Sequence, residues 1–192
     1  MIMSEINMTD ENKVYVACLA CYNDGRLSGA AMNADELDIA WEHDWCDDND
    51  QRVLCDNNDH EEWAIHDYDG DIQRLSIGEH PDIPHLIDTM QGLETHEASS
   101  YVPAYLMAEE LLCKPPSSDE VESLMESWSI VDDVSDWAYE MCVGCGYFEE
   151  PDGWSPISYI DWDRVGKDML MMDYYTFNYG HCIYAIHNGE SI

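Results

Sequence analysis

Val14-Tyr15-Val16-Ala17-Cys18-Leu19-Ala20-Cys21-Tyr22-Asn23-Asp24-Gly25 decides how this chain begins to fold. Its first nine residues are apolar and start β-branched and aromatic, which suits a half-buried strand. Asp-Gly then accepts positive φ, as a tight turn requires. The stretch predicts a strand from Lys13 to Tyr22 and a return strand from Arg26 to Met32. Cys18 and Cys21 lie within the first of these. Residues three apart on a strand point to opposite faces, so this reading makes the two thiols small buried hydrophobes, not ligands of one ion. The other closely spaced pair, Cys142 and Cys145, lies too far along the chain for finger or ribbon spacing. No metal ligand set and no cofactor are expected.

Outward from that hairpin, residues 1–12 read as a frayed lead-in. Asn33 stands just before Asp35 to Trp41, where Leu37, Ala40 and Trp41 have helical spacing and acids occupy the first turn. Asp47 to His60 reads as loop, and Glu61 to Tyr68 as a third strand ending at Asp69-Gly70. From Asp82 to Cys145 the period becomes helical. Ile83, Leu86, Ile87 and Met90 share one face. Val102, Tyr105, Leu106, Leu111 and Leu112 share another, before Pro115-Pro116. Ser117 and Ser118 suit the N-cap of a third helix with Val121, Leu124, Met125 and Trp128 inward. A fourth turns Val134, Trp137, Ala138 and Met141 inward. The last part returns to a helix over Asp161–Met172 and a hairpin of Tyr174–Tyr179 and Cys182–His187 through Gly180. The expected class is α+β: an N-terminal α+β domain with an antiparallel sheet (13–81), a central helical domain (82–145) and a C-terminal α+β domain (146–192).

Charge excludes more than pattern does. The 192 residues carry 42 acidic and 7 basic side chains, a formal net charge of −35. Direct nucleic-acid binding is excluded, because phosphates are neutralised by Lys and Arg; an anionic membrane surface is excluded for the same reason. No apolar run approaches the ~20 residues of a membrane span. The N-terminus has no basic leader, so a cytoplasmic location is expected. Seven Trp and twelve Tyr separate the chain from disordered acidic tails.

From Asp35 to Asp71 there are fifteen acids and one base, Arg52. Such like charges repel and reduce stability. Thirty-five charges equal the phosphates of roughly 17 base pairs, about 60 Å of duplex. A compact globule of this length is only ~40 Å across, so the charge matches DNA if the molecule is elongated. The implied partner is a protein with a basic DNA-binding groove. The outward acids of the central helices, Asp119, Glu120, Glu122, Glu126, Asp132, Asp133, Asp136 and Glu140, are the candidate phosphate mimics. Asp44, Asp47, Asp48 and Asp50 form a second set. No catalytic residue stands out and enzyme function is not expected. An EF-hand loop starting at Asp67 fails, because its sixth and twelfth positions are Ile72 and Gly78.

Three blocks carry a resemblance. Val14 to Gly29 resembles the opening of the ArdA antirestriction proteins, as does Glu62-Trp63-Ala64-Ile65-His66-Asp67-Tyr68-Asp69-Gly70. Tyr159 to Asp168 resembles that family's helix start before its final strand pair. Cys21 stands where the family usually has Ala, and neither Asp47–Asp59 nor Cys142–Pro156 aligns clearly. The latter overlaps the zone of the family's antirestriction motif and dimer contact. The resemblance implies an elongated, three-domain homodimer imitating bent B-form DNA. It implies a stoichiometric, competitive inhibitor in the DNA groove of type I restriction–modification enzymes, where specificity and methyltransferase subunits hold their target. Alternatives are a DNA mimic aimed at another defence system, such as an anti-CRISPR factor, and an acidic divalent-cation-binding protein.

Overall fold

Two antiparallel three-stranded sheets, each with helices beside it, make this an α+β protein. The structure is a computed structural model and describes residues 11–47, 49–57, 60–146 and 156–189. Most of the lead-in, Asp48 and residues 147–155 of the Cys142–Pro156 stretch lie outside the described residues. The chain divides into two compact units, Met1–Val121 and Glu122–Ile192.

In the first unit β1 (Lys13–Cys18) is the central strand. The quoted stretch does not stay extended to Tyr22. It turns into α1 (Leu19–Asn23) directly after Cys18, whose sulfur accepts a hydrogen bond from the Cys21 amide at 3.5 Å. Gly25, at φ 79°, completes the reversal, and β2 (Gly29–Met32) returns antiparallel to β1. The hairpin is thus present, but its connection is a helical turn instead of a tight two-residue loop. On the other side of β1 lies β3 (Trp63–Asp69), also antiparallel, with a bulge between Tyr15 and Val16.

The helices start where the sequence places caps. Asn33 caps α2 (Ala34–Glu42) in a reciprocal box: its side chain accepts from the Glu36 amide at 2.9 Å, and its own amide donates to Glu36 at 3.1 Å. Asp82 accepts from the His85 amide at 3.0 Å to start α3 (Ile83–Thr95). Leu86 and Met90 are fully buried, as the period predicts. α4 (Ala98–Leu112) follows and ends at Cys113 in left-handed conformation, before Pro115. Here Tyr101 is fully buried, and its ring lies against Gly92 of α3 so closely that a Cβ there would overlap it. The Tyr101 hydroxyl reaches Ser118 at 3.1 Å, and Ser118 donates through its amide and hydroxyl to Asp88, both at 2.8 Å. These bonds fix the first turn of α5 (Ser118–Ser127).

The second unit is built on β4 (Ser129–Val131), β5 (Tyr174–Tyr179) and β6 (Cys182–His187), with β6 in the middle. The β5–β6 hairpin turns through Gly180 at φ 62°. β4 falls inside the stretch read as purely helical. Three residues are too few to show a period of two, and the pairing partner is more than 50 residues away in sequence. α6 (Val134–Tyr139), capped by Asp133, continues as a π-helical turn over Glu140–Gly144. It packs on α7 (Trp162–Asp173), where Gly166 admits the Val134 side chain. Val131, Trp137, Ala138, Leu170 and Ala185 form the core.

Gly92→Ala tests the packing of α3 on α4. Alanine improves helix propensity by up to ~1 kcal/mol, but overpacking against a buried ring costs roughly 1–3 kcal/mol. Chemical denaturation is expected to show net destabilisation; a more stable variant would mean Tyr101 yields easily.

Candidate functional site

Five of the chain's seven cations pair with acids close by in sequence. Lys13 pairs with Glu11 at 2.8 Å, Arg26 with Asp24 at 3.5 Å, and Arg74 with Asp71 at 3.1 Å. Lys114 pairs with Glu120 at 2.7 Å and Lys167 with Asp163 at 2.6 Å. All five partners lie within six residues in sequence, and such exposed pairs contribute only ~0–1 kcal/mol each. Arg52 donates instead to the His60 carbonyl at 3.2 Å. No long-range set of ion pairs offsets the acidic excess among these contacts.

The predicted acids divide by what holds them. Asp119, Glu122 and Glu126 are exposed on α5; Asp132, Asp136 and Glu140 are exposed at and beside α6. Asp44 and Asp50 are exposed in the loop after α2, at φ 50° and 59°. Three others do local work. Asp133 accepts from the Ser135 and Asp136 amides at 2.9 and 3.0 Å, which caps α6. Asp47 accepts from Asn49 and Gln51 at 2.8 and 2.9 Å, and these amides hold its carboxyl below the ordinary range. Glu120 is held low first by Lys114 and next by the Ser117 amide at 2.9 Å. For a lowered carboxyl the stabilisation is complete above its unfolded pKa, near 4.3 for Glu. It is lost as pH falls through the lower folded value. Asp132 accepts from the Cys182 thiol at 3.1 Å. Asp48 lies outside the described residues.

A second grouping in the first unit was not foreseen. Cys18 Sγ, Cys21 Sγ, Cys55 Sγ and His60 Nδ1 all lie within 4.8 Å of one another. The imidazole nitrogen is 3.4 Å from Cys18 Sγ and 3.5 Å from each of the other two. This corrects the reading of Cys18 and Cys21 as opposed strand residues. The strand ends at Cys18, and α1 swings Cys21 back beside it. Their companions are Cys55 and His60 of the intervening loop, not Cys142 and Cys145. Cys142 instead contacts the Met169 sulfur at 3.7 Å. Burial would raise the Cys18 thiol, but the Cys21 amide together with the Cys55, Cys21 and His60 side chains bring it down to about 7. Burial and its thiol neighbours push Cys21 up to about 11. The sequence signal available was a Cys-x-x-Cys followed by a Cys and a His within one loop.

Among the described residues no helix is long and apolar enough to cross a membrane. The family profile described as Antirestriction protein (ArdA) matches residues 14–183, and the chain belongs to that family, one of inhibitors of restriction. No curated protein matches it.

If unbalanced carboxylates strain the fold, salt will stabilise it. Raising ionic strength from 0.01 to 0.1 M shortens the screening length from ~30 to ~10 Å. The melting temperature is expected to rise by about 3 °C, equivalent to roughly 1 kcal/mol at this size. A flat or falling melting curve would show that repulsion does not limit stability.

Proposed function

From membership of the ArdA family we infer that this protein inhibits type I restriction–modification enzymes by standing in for their DNA. The exposed carboxylates engage the Arg and Lys side chains that otherwise meet phosphates, in charge-assisted hydrogen bonds. The specificity and methyltransferase subunits are the partners, bound stoichiometrically and without catalysis. We take the active form to be an elongated homodimer. The field of the acidic surface would also speed encounter with a basic groove.

The observation that carries this reading is the −35 charge on a folded scaffold, five of whose seven cations pair with acids close by in sequence. A divalent-cation protein would need its carboxylates turned toward one point. Here Asp119, Glu122, Glu126, Asp132, Asp136 and Glu140 are exposed on helices and their flanks. The test is a pulldown with a purified type I methyltransferase, repeated with competing duplex DNA and at rising salt. Mutual exclusion with DNA and weakening by salt are expected; simultaneous binding of protein and DNA would sink the reading.

The same surface predicts a distributed response to mutation. Single replacements of Asp44, Asp50, Asp119, Glu122, Glu126, Asp132, Asp136 or Glu140 by Asn or Gln are expected to be nearly silent. At about 0.3 kcal/mol each, all eight together weaken binding by about fiftyfold. Asp47, Glu120 and Asp133 are left intact because they hold local structure. Loss of binding from one substitution would show a local key instead of a field.

A further inference from the structure

We propose that Cys18, Cys21, Cys55 and His60 form a structural zinc site that clamps the acid-bearing loop of the first unit to the end of β1. The geometry is the first argument. Zn–S bonds of ~2.3 Å and Zn–N bonds of ~2.0 Å at tetrahedral angles separate sulfur from nitrogen by about 3.5 Å. The three Sγ–Nδ1 distances are 3.4, 3.5 and 3.5 Å. Hydrogen bonding alone does not account for them. A ring nitrogen offers one proton or one lone pair, so it satisfies one sulfur and not three.

Ligand chemistry selects the metal. Three thiols and one imidazole, with no carboxylate among them, suit zinc and exclude calcium or magnesium. Cys18 and Cys21 are buried, so the site is closed in the manner of structural zinc. Binding by three thiols releases three protons and leaves a centre of net charge −1. Outer groups lie close by. The Cys21 amide donates to Cys18 Sγ. His60 Nε2 lies 2.9 Å from Asn57 Nδ2. With Nδ1 on the metal, Nε2 carries the proton, and a half-turn of the Asn57 side-chain amide brings its oxygen there to accept it. Arg52 holds the His60 carbonyl.

The site also accounts for the loop. The segment between Glu42 and Trp63 is 20 residues long, and its described residues form no helix or strand beyond the isolated Cys46–Arg52 bridge. Loops of this length inside a compact unit need something to hold them. Cys55 and His60 tie its far half to the β1–α1 junction, and Asp44, Asp47 and Asp50 lie in its near half. The metal site stands apart from the inhibition reading; only its consequence for those three acids rests on that reading.

The test uses the reduced full chain. Elemental analysis after expression with zinc is expected to give about one zinc per chain. Titration of the metal-free protein with Co²⁺ is expected to give the sulfur-to-cobalt charge-transfer band and the intense visible bands of a tetrahedral site. Cys55→Ser and His60→Ala lose the metal, His60→Cys keeps it with shifted bands, and Cys113→Ser and Cys145→Ser bind as the parent does. Asn57→Leu weakens affinity about tenfold or more. The Co²⁺ titration of the parent chain remains decisive if a variant fails to fold. No tetrahedral spectrum, a bound metal other than zinc, equal loss in Cys145→Ser, or a native Cys18–Cys21 disulfide would each overturn the proposal. None of these readouts involves a restriction enzyme, so the site and the inhibition reading fail separately.

Discussion

Carboxylate repulsion is the constraint under which every other feature of this protein operates. A small α+β scaffold must hold 42 acids against 7 bases. Buried apolar surface opposes the repulsion at ~25 cal/mol per Å². The cores are therefore tightly made. Tyr101 lies on a glycine, Val134 lies on another, and Leu37, Ile65, Leu86 and Met90 are buried with almost no exposure. The acids also reduce their own cost where they can. Asp82, Asp133 and Asp161 sit at helix N-termini, where amide donors and the helix dipole favour negative charge.

Much of this was readable from residues alone, because the signals were local. The Asn33 helix start, the Ser117–Ser118 start, the Gly180 hairpin and the inward faces of α3, α5 and α6 each follow from caps, turns or a 3.6-residue period. What was not readable depends on distant partners. β4 is a strand only because β6 offers it hydrogen bonds. The helix of Leu19–Asn23 replaces the end of a strand in an apolar run that fits either form. Tertiary context decides there: the Leu19 amide is taken by the Glu62 carbonyl and the Cys18 amide by the Ser28 carbonyl.

The acidic surface was legible in kind but not in detail. Composition fixes the charge, and helical phase fixes which acids face outward. It does not reveal that Glu120 is committed to Lys114 and Ser117, or that Asp47 organises its own loop. Such carboxylates have less freedom to reorient toward a partner's cations. The distinction matters for any charge-neutralised variant, since replacing a cap removes ~0.5–2 kcal/mol of stability as well as a charge.

The thiol cluster shows how one misplaced boundary hides a site. While Cys18 and Cys21 share a strand, geometry forbids a common ligand. Ending the strand at Cys18, four residues before Tyr22, reverses that conclusion. The same turn that brings the sulfurs together gives the following loop an anchor close to the sheet, in a region crowded with like charges. A hydrophobic anchor for that loop would need apolar residues, and the stretch from Asp47 to His60 offers few besides Val53 and Leu54. A metal centre of three thiolates and one imidazole needs only four side chains. It keeps a net negative charge, so it orders the loop without introducing a cationic surface that would neutralise the acids around it.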